Sequence, residues 1–401
     1  MTDHHETLKA QGRRTRASIQ AFEIFAVDVP FQKPFGHSAY LRNNSESIFV
    51  KCITDQGSTG FGESLPRQYV TGETRDLAFR LLSTSILPRL IGKSFGSFEN
   101  VKTFLRECDG KAPVDWVSST VPQASAWCAI DLALLDTFSR EFNEPVFSKE
   151  SQTASSSPKK YSGVISLGKP LEIIFSIIKM KLYGLNHIKF KVDDQIKTSA
   201  FKGFRKLLGS RCDIRVDANM AWSRSQAISA IEKLSKVGIQ TFEQPVAAND
   251  LDLMAELICE NRINLIADES FTDRESLKKL IAKKACTGIN IRISKCGGLI
   301  AALARAEEAR RAGLLIQLGC QVGESSLLSS AQLILLSQVP EAAYLEGCFG
   351  LRLLKEDPAK PLLQFGYGGK PPERLQGPGL GTGMDEKILR QFTVRHDVIG
   401  G

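Results

Sequence analysis

The pattern of hydrophobic and polar positions divides the chain into two regimes. From Ser18 to about Ser64 apolar and polar residues alternate, over Ala21 to Val29 (AFEIFAVDV), Ser47 to Ile53 (SIFVKCI) and Gly60 to Glu63 (GFGE). Asp55-Gln56-Gly57 joins the last two as a tight turn. Alternation with a short turn predicts a small antiparallel meander. Apolar residues at helical spacing then predict helices at about Thr74–Leu90, Phe98–Cys108 and Pro122–Phe142. The last is apolar almost all round and is expected to be buried. A meander followed by helices is an α+β unit.

From Tyr161 the pattern changes to short, continuous apolar runs separated by segments of helical length. Eight such runs lie at about 161–167, 187–192, 212–217, 240–244, 264–269, 288–294, 314–320 and 343–346. Runs of this kind suit a parallel sheet buried on both faces, and eight βα units match a compact TIM-like barrel. Ser148 to Lys160 (SKESQTASSSPKK) is serine-rich and reads as a linker. Leu351 to Gly383 is rich in Pro and Gly, and a short helix at about Asp385–Phe392 is expected to end the chain. The predicted fold is therefore α/β: a modified TIM-like (β/α)7β barrel with an N-terminal α+β capping domain completed by the C-terminal tail. The expected divisions are 1–147 (cap), 148–160 (linker), 161–350 (barrel) and 351–401 (tail packed on the cap).

Polar residues close five of these runs in register. Lys189-Phe190-Lys191, Asp217-Ala218-Asn219, Glu243-Gln244-Pro245, Asp268-Glu269-Ser270 and Lys295-Cys296-Gly297-Gly298 follow one another, with Lys191, Asp217, Glu243, Asp268 and Lys295 spaced by 26, 26, 25 and 27 residues. The carboxyl ends of barrel strands are where such folds build their sites. Strands two and six lie across the mouth, so Lys191 and Lys295 are expected to face each other, with Asp217, Glu243 and Asp268 on the arc between. Three converging carboxylates repel unless a cation neutralises them, and an all-oxygen set suits Mg²⁺ first and Mn²⁺ next. Lysines beside a dication have depressed pKa values and serve as bases. One removes the α-proton of a carboxylate substrate and the other returns it on the opposite face, which inverts the carbon.

Composition narrows the class without naming a ligand. The 401 residues are 42% hydrophobic and 24% charged, as in an ordinary globular protein. No apolar run reaches the length of a membrane span and the N-terminus lacks the apolar core of a signal peptide, so the expectation is a cytoplasmic protein without a membrane partner. The nine cysteines are scattered and show neither disulfide nor zinc spacing. The net charge of +8 comes from Lys9–Arg16 and from helix faces such as Lys279, Lys283 and Lys284, without interleaved aromatics, which argues against nucleic acid.

Together the Lys-x-Lys, Asp-x-Asn, Glu-Gln-Pro, Ala-Asp-Glu-Ser and Lys-x-Gly-Gly motifs resemble those of the muconate-lactonising-enzyme subgroup of the enolase superfamily. Alone, a Lys-x-Lys or a Glu-Gln-Pro is a solvated strand end or a turn; five in register are specific. The mandelate-racemase branch is disfavoured, because strand six carries Lys295 and no histidine lies near strand seven. The resemblance implies Asp217, Glu243 and Asp268 as Mg²⁺ ligands and Lys191 and Lys295 as the acid/base pair. Lys189 and Asn219 are implied as supporting groups, and Glu269 as a hydrogen-bonding neighbour of the metal. It also places a lid at Arg67–Thr74 (RQYVTGET), where Tyr69, Val70 and Thr71 are positioned to touch substrate and Arg67 to meet an anion; a turn into a helix capped at Thr71 or Thr74 reads equally well. Glu324 on the seventh loop and Glu346 on the eighth are candidates for substrate contact or for holding other side chains. Gly377 to Gly383 (GPGLGTG) follows no strand and is not a phosphate loop.

The implied activity is a Mg²⁺-dependent racemase or epimerase acting through a metal-stabilised enediolate on a small carboxylate, an amino-acid derivative or dipeptide. A muconate-type cycloisomerase or a β-elimination lyase is the alternative, and a non-catalytic carboxylate-binding barrel a remote one. Val-Thr-Gly-Glu and Gly-Cys-Gln-Val look like dipeptide epimerases, but the Asp-x-Asp expected of those on strand eight is Leu345-Glu346-Gly347-Cys348 here. Proteins of this family often form homo-oligomers, which is the expectation for this one.

Overall fold

A computed structural model describes residues 16–37, 40–147, 159–166, 168–374 and 376–401. Residues 1–15 and most of the 148–160 linker lie outside the described residues.

The N-terminal layer comprises β1 (Ala17–Val27), β2 (Pro30–His37), β3 (Tyr40–Asn44), β4 (Ser47–Thr54) and β5 (Thr59–Ser64). The helical turn α1 (Gln68–Thr71) follows, then α2 (Arg75–Leu81), α3 (Leu87–Leu90), the short β6 (Ser94–Phe95), α4 (Phe98–Cys108) and α5 (Ala124–Glu141). β2 and β3 form a hairpin absent from the predicted meander. The predicted Thr74–Leu90 helix is interrupted by a π-type turn over Leu82–Ile86, just before Pro88, which has no N–H to continue the ladder. Thr74, not Thr71, caps α2: its hydroxyl accepts a hydrogen bond from Leu77 N at 3.1 Å. The apolar α5 is buried as predicted and lies against β4 and β5. Gly62 makes this possible, because a Cβ there would stand 1.9 Å from the Ala129 carbonyl oxygen.

The barrel alternates β7 (Gly163–Ile165), α6 (Pro170–Leu182), β8 (His187–Lys191), α7 (Ala200–Leu208), β9 (Asp213–Asp217), α8 (Arg224–Ser235), β10 (Thr241–Glu243) and α9 (Leu251–Asn261). It continues through β11 (Asn264–Ala267), α10 (Arg274–Lys283), β12 (Gly288–Ile291), the one-turn α11 (Ile293–Cys296), α12 (Leu299–Arg311), β13 (Leu315–Leu318), α13 (Ser326–Gln338) and β14 (Tyr344–Leu345). The eight strands pair in parallel in chain order, and the sheet curls until a bridge between Tyr161 and Leu345 joins its two edges. This is the TIM-like architecture expected, with one correction. The sixth strand stops at Ile291, and Lys295 sits on α11, because Cys296 N turns back to the Arg292 carbonyl and Gly297 adopts φ 86°.

The chain ends with β15 (Ala359–Lys360), β16 (Gly383–Met384), α14 (Glu386–Gln391) and β17 (Thr393–Gly400). The expected terminal helix is thus followed by a strand, which pairs antiparallel with β1 and adds an edge to the N-terminal sheet.

Candidate active site

Strand register sets the acids side by side. Lys191 pairs with Asp217 across β8 and β9, and Asp217 with Glu243 across β9 and β10. Asp268 and Glu269 follow the end of β11. All four carboxylates are buried, Asp217, Glu243 and Asp268 completely.

Basic and amide side chains divide these oxygens among themselves. Lys189 Nζ lies 3.2 Å from Asp217 Oδ2, 3.2 Å from Glu243 Oε2 and 2.6 Å from Glu346 Oε2. Glu243 also accepts from Asn290 Nδ2 at 2.8 Å and Gln317 Nε2 at 2.9 Å. Asp268 is paired with Arg292 through Oδ2 and with Lys295, whose Nζ lies 2.8 Å from both Oδ1 and the Asp268 carbonyl oxygen. Lys191 Nζ donates to Asn219 Oδ1 at 3.1 Å and stands 3.9 Å from Asp217 Oδ2; Asn219 Nδ2 donates in turn to Glu269 Oε1 at 3.1 Å. Glu346 spends its other oxygen on Arg215, at 2.6 Å.

The charges follow from this packing. Burial disfavours the Glu243 carboxylate, but Lys189 and then Arg292 outweigh it and hold its pKa down at about 2. Burial and the neighbouring Glu243 raise Asp217. Glu269, buried and beside Asp268 and Asp217, is pushed up to about 8. Burial works against Lys189 too, yet Glu243, Glu346 and Asp217 hold its ammonium well above the usual lysine range.

Among the described residues no group of three or more His, Cys, Asp or Glu side chains converges as a metal site. Lys189 lies between Asp217 and Glu243, and Arg292 and Lys295 both pair with Asp268, so each of the three acids has a countercharge beside it. The donor set still fits a hard divalent ion. It is all oxygen, it spans three neighbouring strands, and two of its buried atoms accept no hydrogen bond: Glu269 Oε2, and Asp217 Oδ2, which is met only by the ion pairs with Lys189 and Lys191.

Lys191 and Lys295 are among the residues lining two different cavities. One of about 360 Å³ is lined by Lys189, Lys191, Asn219, Arg292, Glu346 and Tyr69, and runs on between α6 and the Phe349–Phe365 segment. The other, about 220 Å³, carries Lys295 and Thr71 between the barrel and the N-terminal layer. The Asp268–Arg292 pair joins the two lysine environments. Thr71 thus lines the cavity that Lys295 lines, and Tyr69 the one that Lys191 lines. Arg67 is buried, and its guanidinium donates to the carbonyl oxygens of Ser45, Pro66 and Val322, which fastens the turn. Glu324, pushed up to about 8 by burial, accepts from Gln321 N at 2.6 Å.

Four residues were not predicted: Arg215, Asn290, Arg292 and Gln317. The signal was present, since each is a polar residue inside an otherwise apolar strand or just beyond one (IRVD, INIRI, LIQL), and Arg215 stands two positions from Asp217 on the same face.

Comparison with known proteins agrees with this architecture. The model of the family described as enolase C-terminal domain-like matches residues 176–388. The chain belongs to the enolase superfamily. Within it the relatives place the chain in the muconate-lactonising-enzyme subgroup, and it is an isomerase. It is 29% identical over 386 residues to an N-succinyl-L-Arg/Lys racemase of Bacillus cereus, covering 95% of this chain and 99% of that one. A solved structure of the B. cereus racemase superposes with TM-score 0.82 over 95% of this chain and all of that one, at 27% identity. A chloromuconate cycloisomerase of Pseudomonas putida is 25% identical over 94% of this chain and 99% of its own length. A dipeptide epimerase of Cytophaga hutchinsonii, solved with Mg and D-Ala-L-Val, shares the fold at TM-score 0.82 and 23% identity, over 95% of this chain and all of its own. No described helix is long and apolar enough to cross a membrane.

Proposed function

We propose that this enolase-superfamily isomerase racemises or epimerises a small carboxylate at its α-carbon, with Lys191 and Lys295 exchanging the α-proton on opposite faces. The observation that carries the reading is the placement of two lysines at the two ends of one row of buried acids, Lys191 against Asp217 and Lys295 against Asp268. Asp217, Glu243 and Asp268 would hold a divalent cation, Mg²⁺ by the chemistry of the donors, with Glu269 and Asn219 beside them. That ion, when bound, supplies positive charge to the substrate carboxylate as its α-proton leaves. Lys191 Nζ, held by Asn219, takes or returns the proton on the side of the larger cavity. Lys295 Nζ, fixed by Asp268, serves the other side. Lys189 stays charged and offsets the acids, so that the substrate anion enters a basic enclosure.

Among amino-acid derivatives the site favours an N-acylated substrate over a dipeptide with a free amine. Glu346 is the only acid among the described residues lining the larger cavity, and both its oxygens are taken by Lys189 and Arg215. No acid is left to hold an ammonium, whereas Lys189, Lys191 and Arg292 suit anionic and acyl groups. The name of the B. cereus relative agrees with that choice. The same basic lining admits a dicarboxylate, which keeps cycloisomerisation as the second reading.

Incubation with Mg²⁺ in D₂O, separately with N-acylamino acids, dipeptides and muconate, tests this by mass and optical rotation. The expected result is gain of one deuteron and loss of optical activity for an N-acylamino acid. Lactone formation from muconate without exchange of any amino-acid derivative would establish the cycloisomerase instead.

A further inference from the structure

The one-turn helix α11 is too short to hold itself, and it takes its position from tertiary contacts. Several of these come from the N-terminal layer. Leu65 N donates to Ser294 Oγ at 3.1 Å, and Ser125 Oγ lies 3.3 Å from the same hydroxyl. Glu73, at the end of the expected lid, fixes Ser125 by accepting from Ser125 N at 2.8 Å and Ala126 N at 2.9 Å. Just past Lys295 the backbone touches that layer directly. A Cβ on Gly297 would stand 2.0 Å from the Gly110 carbonyl oxygen, and one on Gly298 would stand 2.3 Å from Asp131 Cγ; their φ angles are 86° and 119°. Asp131, buried on α5, accepts from Leu299 N at 2.7 Å and so pins the start of α12, one step beyond the lysine turn.

We propose that Asp131, acting with Ser125 and the Gly297-Gly298 contact, is a positioning residue that sets where the Lys295 ammonium stands, and so governs proton transfer on one face of the substrate only. The inference rests on the two-lysine reading above. Lys191 lies at the end of β8, a strand held by its parallel neighbours β7 and β9, whereas Asp131 acts on the backbone just after the α11 turn. A carboxylate that merely stabilised the fold would affect both faces alike.

The test compares Asp131→Ala with Asp131→Asn, which keeps an acceptor oxygen for Leu299 N. Exchange of the α-proton in D₂O is followed for each enantiomer separately, with Lys295→Ala identifying the one that depends on Lys295. For Asp131→Ala the expected loss is about 100-fold on that enantiomer and no more than about threefold on the other, with Asp131→Asn restoring exchange to within about tenfold of the unaltered protein. Lysine acylation read by mass spectrometry gives an independent measure that needs no substrate: Lys295 should label faster in Asp131→Ala while Lys189 stays protected. Equal losses on both enantiomers, or unchanged labelling of Lys295, would overturn the proposal. Failure of the unaltered protein to exchange either enantiomer would strike the two-lysine reading, and the labelling pattern alone would then decide whether Asp131 positions Lys295.

Discussion

Glu243 shows how a single buried residue links the site to stability. Its folded pKa, held near 2 by Lys189 and Arg292, lies below the ordinary value of 4.5. The unfolded chain therefore binds the proton more readily, so the stabilisation is present above about pH 4.5 and is lost as pH falls toward 2. Chemical denaturation of Glu243→Gln and the unaltered protein at pH 6 and pH 3 should show the larger loss in the unaltered protein, by up to about 2 kcal/mol; parallel losses would remove the coupling. Lys191, Asp217, Glu243 and Asp268 were legible as candidates in the sequence because a buried parallel strand ends abruptly in a polar residue at or next to each of them. Arg292 and Gln317 were not, since a polar residue within an apolar run shows its partner only when the closed barrel brings distant strands together, as Arg292 with Asp268 and Gln317 with Glu243.

At the scale of elements, the site depends on close packing between α5 and the N-terminal sheet, which carries Asp131 and Ser125 to the lysine turn. Gly62→Ala puts a methyl into the Ala129 carbonyl and should force β5 from α5, lowering stability by about 1–3 kcal/mol in urea titration. Retention of the unaltered midpoint would show that the contact has room to relax. The barrel strands could be read within a few residues because their apolar runs are continuous. The β2–β3 hairpin could not, because Pro30-Phe31-Gln32-Lys33-Pro34 mixes prolines and polar residues without alternation. The apolar pattern of Ile289 to Ile293 predicts a strand that runs on to Lys295, whereas the turn found there is made by contacts with Gly110, Ser125 and Asp131, far away in the sequence.

For the whole molecule, the chain is closed at both levels by long-range pairing: Tyr161 with Leu345 in the barrel, and β1 with β17 in the N-terminal sheet. The second was legible only as a tail returning to the cap. β17 is a half-exposed edge strand whose mixed pattern acquires meaning from its partner, with the His396 ring stacked 4.5 Å from Phe25. Deleting residues 393–401 should lower the melting temperature by on the order of 5 °C while exchange chemistry survives, since β17 lies in the N-terminal sheet and not in the barrel; loss of exchange at a temperature where the truncated chain is still folded would show that the edge strand also orders the site. Whether two lysines stand on opposite faces of one carbon is tested by α-proton exchange of each separate enantiomer by Lys191→Ala and Lys295→Ala. Neither variant should racemise, and each should still exchange one enantiomer, a different one in each case; exchange of the same enantiomer by both would rule out two opposed lysines.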